Sequence, residues 1–400
     1  MAATICGLGQ APVSLRPDGA VDRALRSHPR LAASRARVEA AESSRIQASL
    51  RPNPRLYLQS ENARIGSKAS PFRYSQEADS FAYASQVWEA PGKRDSRVTL
   101  ASQAIRSREL EGDVQRIRTV QNVLSAYWAA VGAERIREVL RESLSNLEQT
   151  VEYHRIRVQE GALAEADLIR VQLEREHVAI QYQNAEQDSA RLRIQLYTEM
   201  GEPDQPDVVL TGDLRDTGAV PAPPVDESLG KRPDLRLARQ YVEQAAAGVR
   251  VERANARPDP ELLLGYKRTA GFNTLIAGLQ IQLPFKNRNQ GAIASSLAER
   301  KAAEYDLAGA LSSARNEVLI AQTEFNQKAR LLTGALPQIR AKAADTVQIA
   351  RAVYREGAGD LLRLLDAERT SLQAELLFVQ TLIDYRFALI HLQAATGMLP

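Results

Sequence analysis

Residues Lys93 to Gln159 form a run of 67 residues without proline, and this run restricts the fold more than any other feature. As a single α-helix it would extend roughly 100 Å at about 1.5 Å per residue. No single globular domain requires a rod of that length. Glu160-Gly161 follows, and a second helical pattern continues to Met200. We therefore expect the rod to turn at Gly161 and to return as an antiparallel helix.

The chain contains this arrangement twice. Glu356-Gly357 occupies the position in the second half that Glu160-Gly161 occupies in the first. From Gly161 to Gly201 and from Gly357 to Gly397, equivalent residues are always 196 positions apart. The segment RPNPRLYL at Arg51–Leu58 likewise matches RPDPELLL at Arg257–Leu264. Several matches in the same order indicate an internal duplication.

The duplication predicts the organisation of the whole chain. We expect a signal-peptide remnant or N-terminal extension at 1–17, a first repeat at 18–201, a linker at 202–225 and a second repeat at 226–400. A helix is expected from Asp18 to Leu50, and Pro337 is expected to kink the second rod. The other expected elements are strands at about 55–65, 75–88, 261–268 and 274–283, rods at 93–159 and 289–355, and return helices at 165–200 and 360–396.

The strand expected at Thr274–Leu283 has one apolar face. Leu275, Ala277, Leu279, Ile281 and Leu283 alternate with residues that are mostly polar or small. If this face meets lipid, every backbone group must still be hydrogen-bonded. Four strands cannot close a barrel, so several chains would have to pool their strands, and an oligomer is implied.

Composition excludes several functional classes. The 52 basic and 49 acidic residues nearly cancel and are interspersed, which does not favour nucleic-acid binding. The single cysteine, Cys6, provides neither a disulfide framework nor a cysteine metal site. Small residues at Gly9 and Ala11 are compatible with the end of a secretory signal, and lipidation of Cys6 is an alternative.

No catalytic or metal-binding constellation stands out. The four histidines are scattered, and only His154 and His177 are expected at similar heights, on the two arms of the first turn. We expect surface histidines there rather than a metal site, and we expect no cofactor. Among the four, His28 and His391 lie far from the turns. An enzyme is the class that the sequence favours least.

The order of helix, strand pair, long helix, glycine turn and return helix, given twice, resembles the TolC family of outer-membrane factors over residues 18–399. Within that family, RPNPRLYL, PGKRDSR and PFKNRNQG are similar to the heavy-metal cation efflux branch of the CzcC and CusC type. The resemblance implies a mainly α fold with a small β part. It also implies a homotrimer whose 12-stranded β-barrel lies in the outer membrane of a Gram-negative cell, continued by an α-helical barrel in the periplasm.

The resemblance also implies a function and partners. The trimer would be a passive exit duct joined, through a periplasmic adaptor, to an inner-membrane pump of the RND type, with metal cations as cargo. In the same architecture, a duct for drugs or for type I protein secretion is an alternative. A soluble coiled-coil scaffold, in which the expected strands are loops, is an alternative of another class.

The family places its gate and adaptor contact at the helical turns, which we call the tips. The family's two gate aspartates match Arg363 and Asp366 here, so one of them is replaced by a basic residue. The equivalent pair in the first tip is Asp167 and Arg170. We expect these four residues to form charge links that hold the periplasmic end closed, and ordinary solvated helix pairs are the alternative. The tip residues Glu160, Gly161, Glu356 and Gly357 are the expected adaptor contacts.

Two aromatic residues are candidates for the membrane interface. Tyr83 and Trp88 lie near the end of an expected strand, where aromatic side chains anchor proteins to lipid head groups. Packing at the strand–helix junction is the alternative. The basic residues that follow the strands are expected just below the membrane, against head groups or along the duct. They are Lys93, Arg94, Arg97, Lys286 and Arg288.

Overall fold

The computed structural model describes residues 13–63, 72–202, 204, 208–216 and 223–399. The expected signal remnant with Cys6, Gly9 and Ala11 lies outside the described residues, as does most of the loop expected between the first two strands. Much of the 202–225 linker is also outside them.

Helices make up most of the described chain. In order they are α1 (Pro17–Ser27), α2 (Pro29–Ser49), α3 (Tyr74–Glu77), α4 (Lys93–Gln159), α5 (Glu165–Met200), α6 (Val225–Lys231), α7 (Pro233–Asn255), α8 (Gln290–Thr333), α9 (Ala335–Arg355) and α10 (Leu361–Ala395). The strands are β1 (Val13–Leu15), β2 (Arg55–Glu61), β3 (Asp79–Val87), β4 (Val208–Leu210), β5 (Pro260–Thr269) and β6 (Phe272–Ile281). A mainly helical fold with a small sheet part is therefore confirmed.

These elements fall into two compact units. One comprises residues 1–33, 112–233 and 311–400, and the other 34–111 and 234–310. Each unit takes residues from both expected repeats, so the units are not the repeats themselves. The division into repeats at 18–201 and 226–400 stays a prediction from the sequence.

The unit of residues 34–111 and 234–310 contains a four-stranded antiparallel sheet in the order β2-β3-β5-β6. The second hairpin closes through Ala270 and Gly271, both with positive φ (49° and 85°), the conformation of a tight type I′ turn. β3 pairs with β5 and joins the two hairpins, and β2 and β6 form the edges. The scaffold alternative treated these segments as loops and is wrong on that point.

The sheet has an exposed apolar face, which we call the leucine face. Its register places side chains of all four strands on one side, because directly opposed residues in antiparallel strands point the same way. Leu275 in β6 is 85% exposed and Leu58 in β2 is 74% exposed. The leucine face consists of Leu56, Leu58, Ala82, Ala84, Leu262, Leu264, Tyr266, Leu275, Ala277, Leu279 and Ile281.

The single strand expected at 75–88 is wrong in its first part. Residues Tyr74–Glu77 form α3, a single helical turn, and β3 begins at Asp79. The Glu77 carboxylate accepts a hydrogen bond from the Arg73 backbone amide, and the Tyr74 hydroxyl bonds Ser60 in β2. These contacts stabilise a helical turn, which the alternation of apolar and polar residues in the sequence does not predict.

Basic residues after β3 are paired within the chain. The Lys93 ammonium donates to Asp259 at 2.7 Å and is nearly buried, and Asp259 also accepts from the Ala90 amide. Arg97 pairs with Glu89, and Arg94 donates to the Ser49 carbonyl. The expectation that Lys93 meets lipid head groups or lines a duct is therefore wrong, because its charge is neutralised at the strand–helix junction.

The unit of residues 1–33, 112–233 and 311–400 is helical around an apolar core. α10 contributes the largest share of buried side chains, among them Tyr385 and Leu392. Val208–Leu210, inside the expected linker, forms β4, which pairs in parallel with β1. The buried Tyr127 hydroxyl donates to the Leu15 carbonyl at 2.8 Å and fixes β1 against α4.

Proline shifts two helix boundaries relative to expectation. The helix expected over 18–50 is two helices, because His28 precedes Pro29 and takes an extended conformation (ψ 124°). The second rod breaks at Gly334 rather than at Pro337. The proline ring clashes with the carbonyl four residues earlier, at Thr333, so the helix ends there and restarts at Ala335.

The other long helices have the predicted ranges, α4 over Lys93–Gln159 and α5 over Glu165–Met200. Across the described residues, no helix combines the length and the apolar content needed to cross a membrane.

A close backbone approach between β3 and β5 makes Gly265 sensitive to substitution. A Cβ at Gly265 would overlap Cβ of Tyr83 and lie 2.5 Å from the Ala82 carbonyl oxygen. We expect Gly265→Ala to lower the free energy of unfolding by about 1–3 kcal/mol. The matched control is Gly278→Ala in β6, where the nearest atoms are 3.9 Å away. Urea midpoints from far-UV circular dichroism would compare them, and equal midpoints would contradict the prediction.

Candidate functional site

The two tips have the same backbone geometry. The Gly161 amide donates to Val158 O and the Ala162 amide to Arg157 O, and the Gly357 and Ala358 amides repeat this with Tyr354 O and Val353 O. Both glycines are left-handed, with φ of 73° and 76°. This is the Schellman arrangement that ends a helix, so the turns expected at Gly161 and Gly357 are confirmed.

The predicted gate residues lie on the first turns of the return helices and are mostly exposed. Asp167 and Arg170 approach to 3.9 Å on α5, beyond hydrogen-bond distance. Arg363 and Asp366 are exposed on α10, and no salt bridge joins them in the part of the chain that the structure describes. Within one chain, therefore, these four residues do not link the two hairpins.

Glu160 and Glu356 are exposed at the tips themselves. Glu160 lies 3.4 Å from Arg157 one turn earlier, an exposed pair that contributes little to stability. Neither tip glycine would bring a Cβ within 4 Å of another atom. The tips are thus accessible in a single chain, as a surface for a partner requires.

A bidentate ion pair links the two hairpins instead. Arg369 of α10 donates to Glu174 of α5 through Nε at 3.2 Å and through a terminal nitrogen at 2.6 Å. The Glu174 side chain is only 15% exposed. The hydrogen bonds that Arg369 donates to the Glu174 carboxylate raise the pKa of Arg369 further above its ordinary value. This geometry fixes both side chains more firmly than a single contact would.

A buried histidine provides the second link between the hairpins. His154 of α4 is fully buried, its Nε2 lies 2.7 Å from the Tyr354 hydroxyl of α9, and the two rings stack at 5.7 Å. Nδ1 lies 2.8 Å from the Thr150 carbonyl, which can only accept, so Nδ1 carries the hydrogen. In the neutral histidine the Tyr354 hydroxyl therefore donates to Nε2.

Burial also changes the chemistry of Tyr354. Desolvation raises its pKa above the ordinary value, and the nearby Tyr153, Asp167 and Asp360 act in the same direction, while Arg157 opposes them. A tyrosine that stays protonated remains a hydrogen-bond donor to His154.

The structure separates the two histidines that the sequence analysis considered together. Both ring nitrogens of His154 are occupied by Thr150 and Tyr354, whereas His177 is exposed and bonds Gln181. Within the described ranges, no group of three or more His, Cys, Asp or Glu could hold a metal ion.

The predicted membrane-interface residues face different ways. Trp88 follows β3 and is 62% exposed. Tyr83 points away from the leucine face and stacks on Tyr57 at 4.8 Å. The position of Tyr83 in the sheet therefore does not support its expected role at the membrane interface.

Sequence reasoning missed both hairpin links, although one had a signal. Glu174 lies 13 residues after Gly161, and Arg369 lies 12 residues after Gly357, so the duplication places opposite charges at nearly equal heights. His154 and Tyr354 lie at unequal distances from their glycines, and no simple spacing rule relates them.

The Glu174–Arg369 pair should show energetic coupling. In a double-mutant cycle of Glu174→Gln and Arg369→Gln, we expect a coupling of about 0.2–1 kcal/mol, since the pair is partly exposed. Urea unfolding of the purified protein would measure it. The control cycle is Glu152–Arg155, a bidentate pair within α4 that joins no second helix. Additive effects of the two Glu174–Arg369 substitutions would contradict the link.

The family model described as outer membrane efflux protein matches residues 20–202 and 225–398. The cobalt-zinc-cadmium resistance protein CzcC of Cupriavidus metallidurans is 25% identical over 385 residues, which are 93% of this chain and 88% of that protein.

Solved structures share the fold. A membrane protein from Pseudomonas aeruginosa superimposes with a TM-score of 0.82 at 20% identity, over 96% of this chain and 91% of that one. CusC superimposes with a TM-score of 0.80 at 18% identity, over 98% and 95% respectively. The predicted resemblance to the TolC family, with relatives in its heavy-metal branch, is confirmed.

Proposed function

Because the chain belongs to the outer membrane efflux protein family, we propose that three copies form a passive exit duct through the outer membrane of a Gram-negative cell. The duct continues into the periplasm as a helical barrel. A periplasmic adaptor joins it to an inner-membrane pump of the RND type. In this proposal the chain is a channel subunit and not an enzyme.

The leucine face carries the proposal. Seven of its side chains are Leu or Ile, and each of these seven is at least 44% exposed within the chain. An apolar surface of this kind marks a contact with lipid or protein. In lipid the unpaired backbone groups of β2 and β6 would each cost several kcal/mol unless a further strand pairs with them. Three copies with four strands each supply twelve strands for closure.

The helical part also has unpartnered apolar side chains. On α5, Ile169, Leu173 and Ile180 are between 49% and 65% exposed and recur at helical spacing. Neighbouring copies would cover such a stripe in a helical barrel. Trp88 remains the proposed anchor at the membrane interface, and outer-membrane lipid is the proposed surroundings of the leucine face.

The gate in this proposal lies at the tips, where Arg363, Asp366, Asp167 and Arg170 face other copies. Arg363 and Asp366 have no salt bridge in the described chain, so their charges are available to neighbours. One exposed pair contributes only about 0.2–1 kcal/mol, but threefold repetition multiplies the effect. Glu160, Gly161, Glu356 and Gly357 form the proposed adaptor contact.

Single-channel recording in a planar bilayer tests both the duct and the gate. The unmodified protein should form channels, and Arg363→Ala with Asp366→Ala should raise the conductance or the open fraction, because the links between copies are lost. The double variant Asp188→Ala with Arg191→Ala is the matched control. It removes an exposed pair at the same i, i+3 spacing on the other return helix, α5, farther from its tip.

Two results would count against the proposal in different ways. Unchanged conductance in the Arg363–Asp366 variant would reject the gating role alone. The absence of any channel activity for the unmodified protein would reject the duct.

The proposed cargo is metal cations. The support is the relative CzcC, whose name describes resistance to cobalt, zinc and cadmium. Deleting the gene should lower the cobalt, zinc and cadmium concentrations that stop growth, while tolerance of hydrophobic drugs stays unchanged. Restoration by the intact gene is the control. Loss of drug tolerance alone would favour the drug-efflux alternative.

A further inference from the structure

The sheet has a second face, on the side opposite to the leucine face. Side chains alternate along a strand and directly opposed residues share a face, so the pairs Tyr57–Tyr83 and Phe81–Lys267 lie on this second face. The four strands contain six residues of the types Asp, Glu, Lys and Arg, and all of them except Arg268 lie there. We call it the charged face, after Arg55, Glu61, Asp79, Glu261 and Lys267.

Tyr57 and Tyr83 form a stacked pair at the middle of the charged face, which we call the tyrosine ridge. Their ring centroids lie 4.8 Å apart and the ring planes differ by 19°, a geometry that aromatic pairs favour. In the same row, β5 contributes Gly265, and Gly278 of β6 lies one row away on the same face. These glycines add no side chain, so the two rings project from the sheet beside a recess.

The neighbouring row shows that this surface already holds a positive charge. The Lys267 ammonium lies 4.9 Å from the centroid of the Phe81 ring. Aromatic faces attract cations because the ring quadrupole is negative there. Across the described residues, no Lys or Arg lies over the ring of Tyr57 or Tyr83. The ridge therefore has ring surface that is available to a cation from outside the chain.

Resting on the proposed duct, we infer that the tyrosine ridge forms an aromatic constriction inside the barrel, which holds back bulky organic cations. With the leucine face against lipid, the charged face turns to the lumen. Threefold symmetry then brings three copies of the Tyr57–Tyr83 pair to one level of the barrel. A metal cation keeps its hydration shell and passes, whereas a weakly hydrated quaternary ammonium ion binds the ring faces.

The size of the barrel makes inward side chains important for its free width. Twelve strands spaced about 4.8 Å apart and tilted by about 40° enclose a Cα circle roughly 24 Å across. Barrels of about eight strands are filled by side chains, and those of about sixteen keep an open channel. A twelve-stranded barrel lies between these cases. Six tyrosine rings at one level therefore narrow it, while Gly265 and Gly278 do not.

Block of single-channel current by tetrabutylammonium, added to both sides of a planar bilayer, tests the constriction. The double variant Tyr57→Leu with Tyr83→Leu removes the rings, and we expect its half-blocking concentration to rise about five- to thirtyfold. Tyr57→Phe with Tyr83→Phe keeps the rings and should be blocked like the unmodified protein. The matched control is Tyr266→Leu, which removes an exposed tyrosine from the leucine face of the same sheet and should change nothing.

A variant with the opposite expected effect separates ring chemistry from folding. Lys267→Met frees the Phe81 ring and removes a positive charge from the lumen, so the half-blocking concentration should fall about two- to fivefold. A damaged sheet would not strengthen the block. Where the double leucine variant does not assemble, Tyr57→Leu alone should raise the half-blocking concentration about two- to fivefold, since one ring of each pair is lost.

The outcomes separate the constriction from the duct. Channels of the unmodified protein that tetrabutylammonium does not block, or equal block of the leucine and phenylalanine variants, would overturn the constriction and leave the duct intact. The same conclusion would follow if Tyr266→Leu weakened the block as much as loss of the ridge, or if Lys267→Met did not strengthen it. An unmodified protein that forms no channels would overturn the duct, and the constriction with it.

Discussion

Left-handed glycines at the helix ends are the constraint on which the helical part depends. Gly161 and Gly357 end the outgoing helices, and Gly201 and Gly397 end the return helices, with φ between 68° and 76° at all four. At each of the four positions, the amides of the glycine and of the next residue donate to carbonyl groups of the last helical turn. These carbonyls would otherwise lack a partner within the helix. A side chain with a Cβ would disfavour that conformation and, with it, the reversal that lets the long helices pack.

The regular elements were predictable because local rules determine them. The bounds of α4 and α5 follow from an absence of proline and a glycine stop, and the alternation of β6 follows from the pleat. Duplication added evidence, since each weak signal was seen twice. The order of elements then carried the family resemblance, which the match over both halves of the chain confirmed.

The parts that could not be predicted depend on contacts between distant residues. The single turn α3 needs Ser60 and Tyr74 together, and the break at Gly334 reflects a clash that acts one turn before the proline. At the tips, the sequence predicted links between charged residues at i, i+3 spacing. The hairpins are joined instead by Glu174–Arg369 and by His154–Tyr354, a contact between residues 200 positions apart.

The paired strands β3 and β5 belong to one covalent chain, unlike any strands that pair between copies. Pairing within a chain does not depend on protein concentration, whereas pairing between chains does. The two hairpins can therefore reach their mutual register in a lone polypeptide. In the proposed trimer, assembly would then join four-stranded segments that are already paired, and dilution would affect only the pairing between copies.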